Sequence, residues 1–242
     1  MSKETRMIRL YELCASEPDL VFSPYCWRVR LALAHKRLPF EGLPVGFMEK
    51  EKIAFADSRL VPVLTDGDTV VKESLDILEY LDRTYPQAPL GLDSDAGRAR
   101  VRFISELILR HITPVIFKPS LMAIYEAQPE SAKGYFRESR EKRFGCTLEQ
   151  LHATADASEA HKALGALESQ LKNMPYLDGT QPGATDFVVA AHLIFSWVFG
   201  FQYWEDDSAV GQWFTRLLEA YAEVAGPVKR QIDPAAAQYR AA

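Results

Sequence analysis

Cysteine is scarce in this chain of 242 residues, which contains three. Cys14, Cys26 and Cys146 are an odd number at wide spacing, so the sequence predicts no disulfide framework and favours a reducing cytosol. The five histidines show no metal-ligand spacing such as H-E-x-x-H, so no metal site is predicted. The sequence also lacks a phosphate-binding loop and a dinucleotide-binding fingerprint.

A surplus of basic charge is also missing. The chain has 28 Lys and Arg residues against 33 Asp and Glu residues, which gives a net charge of −5. Proteins that bind the phosphate backbone usually carry the opposite balance, so no nucleic-acid partner is expected. Hydrophobic residues make up 48% and charged residues 25%, and these values exclude a wholly disordered or fibrous chain.

No apolar run is long enough to predict a membrane span. The most apolar segment, 187–201, is interrupted by His192, Ser196 and Gly200 and falls short of the roughly 20 residues that a span requires. It therefore predicts a buried core helix. The polar first residues do not resemble a signal peptide, so a cytoplasmic protein without a membrane partner is expected.

The first ninety residues alternate between strand and helix patterns in the order βαβαββα. Ser23-Pro24 predicts the start of the first helix, because Ser is a favoured N-cap and Pro a favoured first helical residue. Pro44 favours an edge position for the second strand. Ser74 is predicted to cap the helix that follows a hairpin. The segments predicted as strands are 8–13, 40–45, 61–65 and 69–72.

No convincing strand pattern follows Pro89, and apolar residues recur at helical spacing from there on. The sequence therefore predicts an α/β domain over 1–87, a linker over 88–94 and an all-α domain over 95–242.

Three motifs in this order and spacing resemble the glutathione S-transferase superfamily over essentially the whole chain. They are Phe22-Ser23-Pro24-Tyr25-Cys26-Trp27-Arg28, Leu60-Val61-Pro62-Val63-Leu64 and Lys72-Glu73-Ser74-Leu75-Asp76-Ile77. The resemblance implies a thioredoxin-like N-terminal domain, an all-α C-terminal domain and a homodimer. The first motif and the stretch 135–145 look like the bacterial lignin β-etherases in particular.

Ser23 is the candidate catalytic residue. Backbone amides at a helix N-terminus favour an anion, so a glutathione sulfur placed there would be stabilised as a thiolate that accepts a hydrogen bond from the Ser23 hydroxyl. A hydrogen bond to a charged group contributes about 1.5–3 kcal/mol, which corresponds to roughly one to two pKa units. The alternative is that Ser23 only caps the helix.

The resemblance also implies the residues that bind the rest of glutathione. Val61, before a cis Pro62, would offer its backbone to the cysteinyl unit, and Glu73 and Ser74 would bind the γ-glutamyl end. Lys50 or Lys52 would meet the glycyl carboxylate, with a solvated lysine as the alternative.

The electrophile pocket is predicted to include Tyr25, Trp27 and His111, with Phe117, Tyr125 and Trp197 as further candidate walls. Ordinary core packing is the alternative for each of these side chains. Cys26 is expected to be a buried small hydrophobe. Before the apolar helix, Gly183 and Asp186 resemble a capping box in which half of the reciprocal bonding is missing.

These residues predict a glutathione transferase whose thiolate attacks an electrophilic carbon or an activated ether in a small hydrophobic substrate. Two alternatives stay open. A glutathione-dependent thiol transferase or reductase would need sulfur at position 23, where the chain has an oxygen. A non-catalytic glutathione-fold module would serve in assembly or ligand carriage.

Overall fold

The computed structural model describes residues 7–239. The first half contains a four-stranded sheet in the order β2-β1-β3-β4, in which β1 is parallel to β2 and antiparallel to β3. The edge position of β2, predicted from Pro44, is confirmed. The strands are β1 (Ile8–Leu13), β2 (Phe40–Val45), β3 (Val63–Asp66) and β4 (Thr69–Lys72).

Two α-helices complete this half: α1 (Pro24–His35) and α2 (Ser74–Thr84). Helix α1 begins where Ser23-Pro24 predicts it. The short helix predicted after β2 is a 3-10 helix over Lys50–Ala56. Ile77, Leu78 and Leu81 form the buried face of α2, which packs against α1.

The N-cap predicted at Ser74 lies one residue earlier in the structure. Glu73 is the N-cap, and Ser74 is the first residue of α2. Glu73 adopts a φ of 68°, a left-handed value that is uncommon for any residue except glycine. The turn into the helix is therefore made at Glu73, and this leaves the Ser74 hydroxyl available for other contacts.

The second half of the chain is helical, as the sequence predicts. The segment 85–94, which includes the predicted linker, contains no helix or strand. The helices are α3 (Asp95–Leu107), a π-helical turn (Ile108–Ile112), α4 (Thr113–Glu126), α5 (Glu130–Phe144), α6 (Leu148–His152), α7 (Ala157–Ala163), α8 (Gly165–Leu171), α9 (Ala184–Trp197), α10 (Ala209–Ala225) and a 3-10 helix (Pro234–Tyr239).

Helix α9 is the central element, as its apolar sequence predicts. All of its residues are buried except Trp197, and it packs closely against α1. Packing between these two helices joins the sheet half to the helical half. His35 of α1 lies against Phe187 of α9, with ring centroids 5.4 Å apart.

The N-terminus of α9 is capped by a residue outside the helix. The Gly183 N–H donates to Asp186 Oδ2 at 3.1 Å, as in a capping box. A glycine has no side chain to supply the reciprocal bond, and Asp178 supplies it instead by accepting from the Thr185 N–H at 2.8 Å. A Cβ at Gly183 would lie 2.5 Å from Asp178 Oδ2. Glycine is therefore the residue that leaves room for this external cap.

The run Asp95–Glu126 is continuous helix and, by length and composition alone, long and apolar enough to cross a membrane, with a mean hydropathy of 1.3 over an 18-residue window. Core helices of soluble proteins can have the same length and apolar composition, so these two properties are weak evidence for a membrane span. In the structure Ile108, Ile112 and Ile116 are buried in the core, and α3 and α4 both pack against α9.

Candidate functional site

A cleft of about 450 Å³ lies between the two halves. Ser23, Tyr25 and Lys50 are among the residues that line it from the sheet half. The helical half contributes α4, α5 and α9, with residues such as Phe117 and Phe195. Within residues 7–239, no group of three or more His, Cys, Asp or Glu side chains is placed to hold a metal ion.

Ser23 lies at the start of α1 and faces the cleft. Its backbone carbonyl accepts from the N–H groups of Cys26 and Trp27, at 3.1 and 3.0 Å. Its side chain makes no capping hydrogen bond, although Ser23 occupies the N-cap position. The hydroxyl therefore does not cap the helix. It hydrogen-bonds to the Cys26 thiol and lines the cleft at the positive end of the helix dipole.

Val61 and Lys50 line the same cleft. The Val61–Pro62 peptide bond is cis, which confirms the expectation from the sequence. Lys50 contacts Tyr135, with its Nζ 3.5 Å from the hydroxyl oxygen and 5.2 Å from the ring centroid. Lys52 instead pairs with Glu49 at 2.7 Å. Of the two lysines left open by the sequence, Lys50 is the one that faces the cleft.

Glu73 and Ser74 do not line the cleft directly. Glu73 is exposed, whereas Ser74 is buried and its hydroxyl accepts from Arg28 Nη1 at 3.3 Å. Arg28 Nη1 also lies 3.4 Å from Ser105 Oγ, and its Nη2 lies 3.1 Å from His192 Nε2. Ser74 is thus connected to the cleft-lining His192 through a buried guanidinium.

Arg28 is almost fully buried and has no carboxylate partner among the described residues. Its Nε has no hydrogen-bond partner either. Burial lowers the pKa of Arg28 to about 10, although the guanidinium remains charged at neutral pH. Its Cζ lies 4.9 Å from the centre of the Tyr25 ring, so an aromatic face supplies part of the stabilisation.

The three residues predicted for the electrophile pocket have different positions. Tyr25 lines the cleft and is 38% exposed. Trp27 is buried away from it, where its indole Nε1 donates to the Val21 carbonyl at 2.7 Å and its ring packs on Tyr221. His111 is exposed and is not among the residues that line the cleft. The structure therefore brings only Tyr25 of these three to the cleft.

His192 lines the cleft, a position that was not predicted for it from the sequence. It is buried, and its ring lies 6.1 Å from that of Tyr25. Burial and the nearby Arg28 charge lower its pKa well below the usual value of 6.5. A histidine in the middle of an apolar helix was the available signal, but helical spacing alone does not separate a cleft position from a core position.

Cys26 is fully buried, as expected. Its Sγ accepts from the Leu13 N–H at 3.4 Å. Burial raises the pKa of the thiol to about 12, so the reactive thiolate is scarce at neutral pH. Burial likewise raises the pKa of Cys14 to about 11. Neither thiol is suited to exchange chemistry.

Comparison with known proteins gives consistent matches in both halves. Residues 22–84 match the family model for the glutathione S-transferase N-terminal domain, and residues 99–223 match that for the C-terminal domain. FtsZ-localized protein A of Caulobacter vibrioides is 30% identical over 201 residues, which cover 80% of this chain and 82% of that protein.

Solved structures show the same architecture. A glutathione S-transferase of Ceriporiopsis subvermispora, crystallised with glutathione, superposes with a TM-score of 0.77 at 22% identity, covering 90% of this chain and 99% of that one. The structure of FzlA from C. crescentus gives a TM-score of 0.64 at 26% identity, covering 90% and 91%. These likenesses confirm the thioredoxin-like α/β half with its helical partner.

Proposed function

This chain belongs to the glutathione S-transferase family, and on that premise we propose that it binds glutathione in the cleft and transfers its sulfur to a small hydrophobic electrophile. Ser23 would donate a hydrogen bond to the thiolate, and the amides at the start of α1 would add to its stabilisation. The thiolate would then attack an electrophilic carbon and displace a leaving group. A ready thiolate and proximity would supply most of the acceleration.

One observation carries this proposal: the Ser23 hydroxyl lies at the mouth of α1, in the cleft, without a capping bond. A serine that served only as an N-cap would bond to an amide of the first helical turn. Ser94 and Ser208 do so at the starts of α3 and α10, with distances of 3.1 and 3.0 Å. The different behaviour of Ser23 favours a role toward a ligand.

Of the residues proposed for the rest of glutathione, Val61 and Lys50 line the cleft, whereas Glu73 and Ser74 lie outside its lining. Val61 would pair its backbone with the cysteinyl unit beside Pro62, and Lys50 would meet the glycyl carboxylate. Ser74 and Glu73 would bind the γ-glutamyl end, at the N-terminus of α2. The buried Arg28, which contacts the Ser74 hydroxyl, would add positive charge behind that carboxylate.

A glutathione-dependent thiol transferase or reductase is less well supported. Its first step requires a nucleophilic or exchangeable sulfur at position 23, and the serine hydroxyl cannot form a mixed disulfide. Cys26 does not replace it, because it is buried and its pKa is raised to about 12. Ser23→Cys should gain deglutathionylation activity and lose conjugation, because a thiol at a helix N-terminus ionises readily.

A non-catalytic assembly module is the second candidate, and the similarity to FtsZ-localized protein A favours it. Under this alternative the chain would bind glutathione, or retain only the fold, and would associate with other proteins. Retention on immobilised glutathione without turnover of a broad panel of electrophiles would support it.

We further propose a cytoplasmic homodimer. Exposed apolar side chains on the outer face of α3 support an interface there: Phe103 is 65% exposed and Leu107 is 38% exposed, one turn apart.

The activated ether among the expected substrates rests on the β-etherase resemblance of Ser23-Pro24-Tyr25-Cys26-Trp27-Arg28 and of residues 135–145.

The test is turnover of wild type and Ser23→Ala with a panel of aryl halides, β-aryl ethers, thiocyanates and mixed disulfides. The proposal expects conjugation by wild type and a fall of about tenfold or more in Ser23→Ala, the loss of one charged hydrogen bond. Ser94→Ala is the matched control and should keep full activity. Efficient reduction of mixed disulfides that depends on Cys26 would contradict the assignment of roles.

A further inference from the structure

The cleft carries positive charge on a protein whose net charge is −5. Lys50, Arg59, Arg140 and Arg143 line it, and none of its lining residues within the described chain is Asp or Glu. A cleft with charge of one sign and apolar walls focuses its potential on a ligand of the opposite sign. The preferred ligands of this cleft should therefore be anionic.

Arg140 on α5 is the most informative of these cations. Its guanidinium lies over the Phe136 ring at 4.1 Å and the Phe47 ring at 4.8 Å, and it donates to the neighbouring Ser139 hydroxyl at 2.8 Å. No carboxylate of residues 7–239 lies within ion-pair distance of it. Burial lowers the pKa of Arg140 to about 10, as expected for a cation whose charge is not compensated by a nearby acid.

One carboxylate of the same helix and one of α6 are used by a different arginine. Arg137, one turn earlier, bonds to Glu141 at 3.0 Å and to Glu149 at 2.8 Å. Arg143, in the last turn of α5, lies 5.5 Å from the centre of the Phe144 ring and has no ion pair in the described part of the chain. It also complements the carboxyl end of the helix. Arg140 and Arg143 thus face the cleft with their charges unpaired.

Flat aromatic rings lie in the same cleft. Phe117 is stacked with both Phe144 and Phe195, with a centroid distance of 5.9 Å in each case and interplanar angles of 25° and 20°. Such a surface suits the face of an aromatic ring. A planar apolar wall next to unpaired guanidinium groups matches a ligand with a ring and an acidic group.

Glutathione does not account for all of this charge. As a bound thiolate it carries negative charge on two carboxylates and the sulfur and positive charge on one ammonium group. Its net negative charge is therefore smaller in magnitude than the summed positive charge of Lys50, Arg59, Arg140 and Arg143. In the proposed binding mode Lys50 meets the glycyl carboxylate, and the γ-glutamyl end lies toward Ser74 and Arg28. Arg140 and Arg143 remain for a second ligand.

We propose that the second substrate is an aromatic organic acid, whose carboxylate is bound by Arg140 and Arg143 and whose ring packs on Phe117 and Phe144. This inference rests on the proposed function, since it names the substrate class of the same cleft. Guanidinium groups pair with carboxylates in bidentate geometry, so recognition is directional as well as electrostatic.

A matched pair of aryl halides tests the proposal: 4-chloro-3,5-dinitrobenzoate and its primary carboxamide. In both, a carbon–sulfur bond forms at the chlorinated ring carbon, the carbon–chlorine bond breaks, and chloride leaves with the electron pair. The thiol proton goes to solvent when the thiolate forms. Each kcat/KM is divided by the uncatalysed rate constant, so that only recognition of the acid is compared.

The expected result is a preference of about tenfold or more for the carboxylate, the size of a charged hydrogen bond. Arg140→Gln and Arg143→Gln should each reduce this preference, and Arg140→Lys should retain part of it. Arg137→Gln is the matched control on the same helix and should keep the preference of wild type. Equal kcat/KM values for the two halides in wild type would overturn the proposal.

Binding of the two product conjugates, measured by calorimetry, gives a readout that does not depend on turnover. The proposal predicts tighter binding of the carboxylate conjugate to wild type, a smaller difference in Arg143→Gln, and an unchanged Kd for glutathione alone. If Arg140→Gln and Arg143→Gln weaken glutathione and both conjugates equally, these arginines bind glutathione itself and the proposal is wrong. If the protein catalyses no conjugation but still binds the carboxylate conjugate more tightly than the carboxamide conjugate, the proposed function is wrong and this inference stands.

Discussion

Arg28 Nη2 donates a hydrogen bond to His192 Nε2 across 3.1 Å, which joins α1 to α9 in the interior. Because a guanidinium can only donate, Nε2 must accept, and the imidazole proton is assigned to Nδ1. Nδ1 lies 2.8 Å from Thr113 Oγ1, and that hydroxyl donates to the Ile108 carbonyl at 3.0 Å. Each proton in this chain of bonds has an acceptor only when His192 is neutral.

This arrangement predicts that acid destabilises the fold. Burial, followed by the Arg28 charge, lowers the pKa of His192 well below 6.5, whereas in the unfolded chain the imidazole binds a proton near pH 6.5. The unfolded state therefore holds more protons below that pH, and the free energy of unfolding should decrease by up to about 1.4 kcal/mol per pH unit from this one group. Urea unfolding between about pH 7.5 and about pH 5.5 measures the slope.

The dependence of the unfolding free energy on pH, rather than its absolute value, identifies His192 as the group responsible. His192→Gln should unfold with a weaker dependence on pH than wild type over the same range, because it removes the buried imidazole. If His192→Gln and wild type show the same slope, another group carries the acid sensitivity.

The two N-cap serines, Ser23 and Ser94, should respond differently to truncation. Ser94→Ala removes a hydrogen bond of 3.1 Å to the Gly97 N–H and should cost about 1 kcal/mol of unfolding free energy. Ser23→Ala removes no capping bond and should cost clearly less. Chemical denaturation of the ligand-free variants measures both values. Equal losses would indicate that the Ser23 hydroxyl does cap α1.

Gly183→Ala should destabilise the start of α9. The added methyl group would lie 2.5 Å from Asp178 Oδ2 and displace the carboxylate from the Thr185 N–H. Overpacking together with a lost cap should cost about 1–3 kcal/mol. Gly134→Ala, in a helical position with no atom within 4 Å, is the control and should stabilise by about 0.5–1 kcal/mol. Thermal unfolding compares the two, and a neutral Gly183→Ala would contradict the role of Asp178.

Local sequence signals were sufficient for much of the fold. Ser23-Pro24 marks the start of α1 because capping and the fixed proline φ act within a few residues. The uniformly apolar sequence of α9 predicts its central position. The motif around Val61-Pro62 predicts the cis bond that the structure contains.

Contacts between residues far apart in the sequence could not be predicted from local sequence signals. Arg28 and His192 are separated by 164 positions, and nothing local in either segment indicates the other. His111 was expected in the electrophile pocket, but the segment Ile108–Ile112 is a π-helical turn. The wider turn changes which side chains share a face, and His111 is exposed. The unpaired charge of Arg140 likewise depends on which acids lie nearby in three dimensions.

The most direct test of the account is the pKa of the glutathione thiol when it is bound, followed by the ultraviolet absorbance of the thiolate in wild type and Ser23→Ala. The account predicts a bound thiol that ionises at lower pH than free glutathione in wild type, and an increase of roughly one to two pKa units on removal of the Ser23 hydroxyl. Ser94→Ala should titrate like wild type. A bound thiol that ionises as in free solution, or that titrates identically with and without the Ser23 hydroxyl, would contradict it.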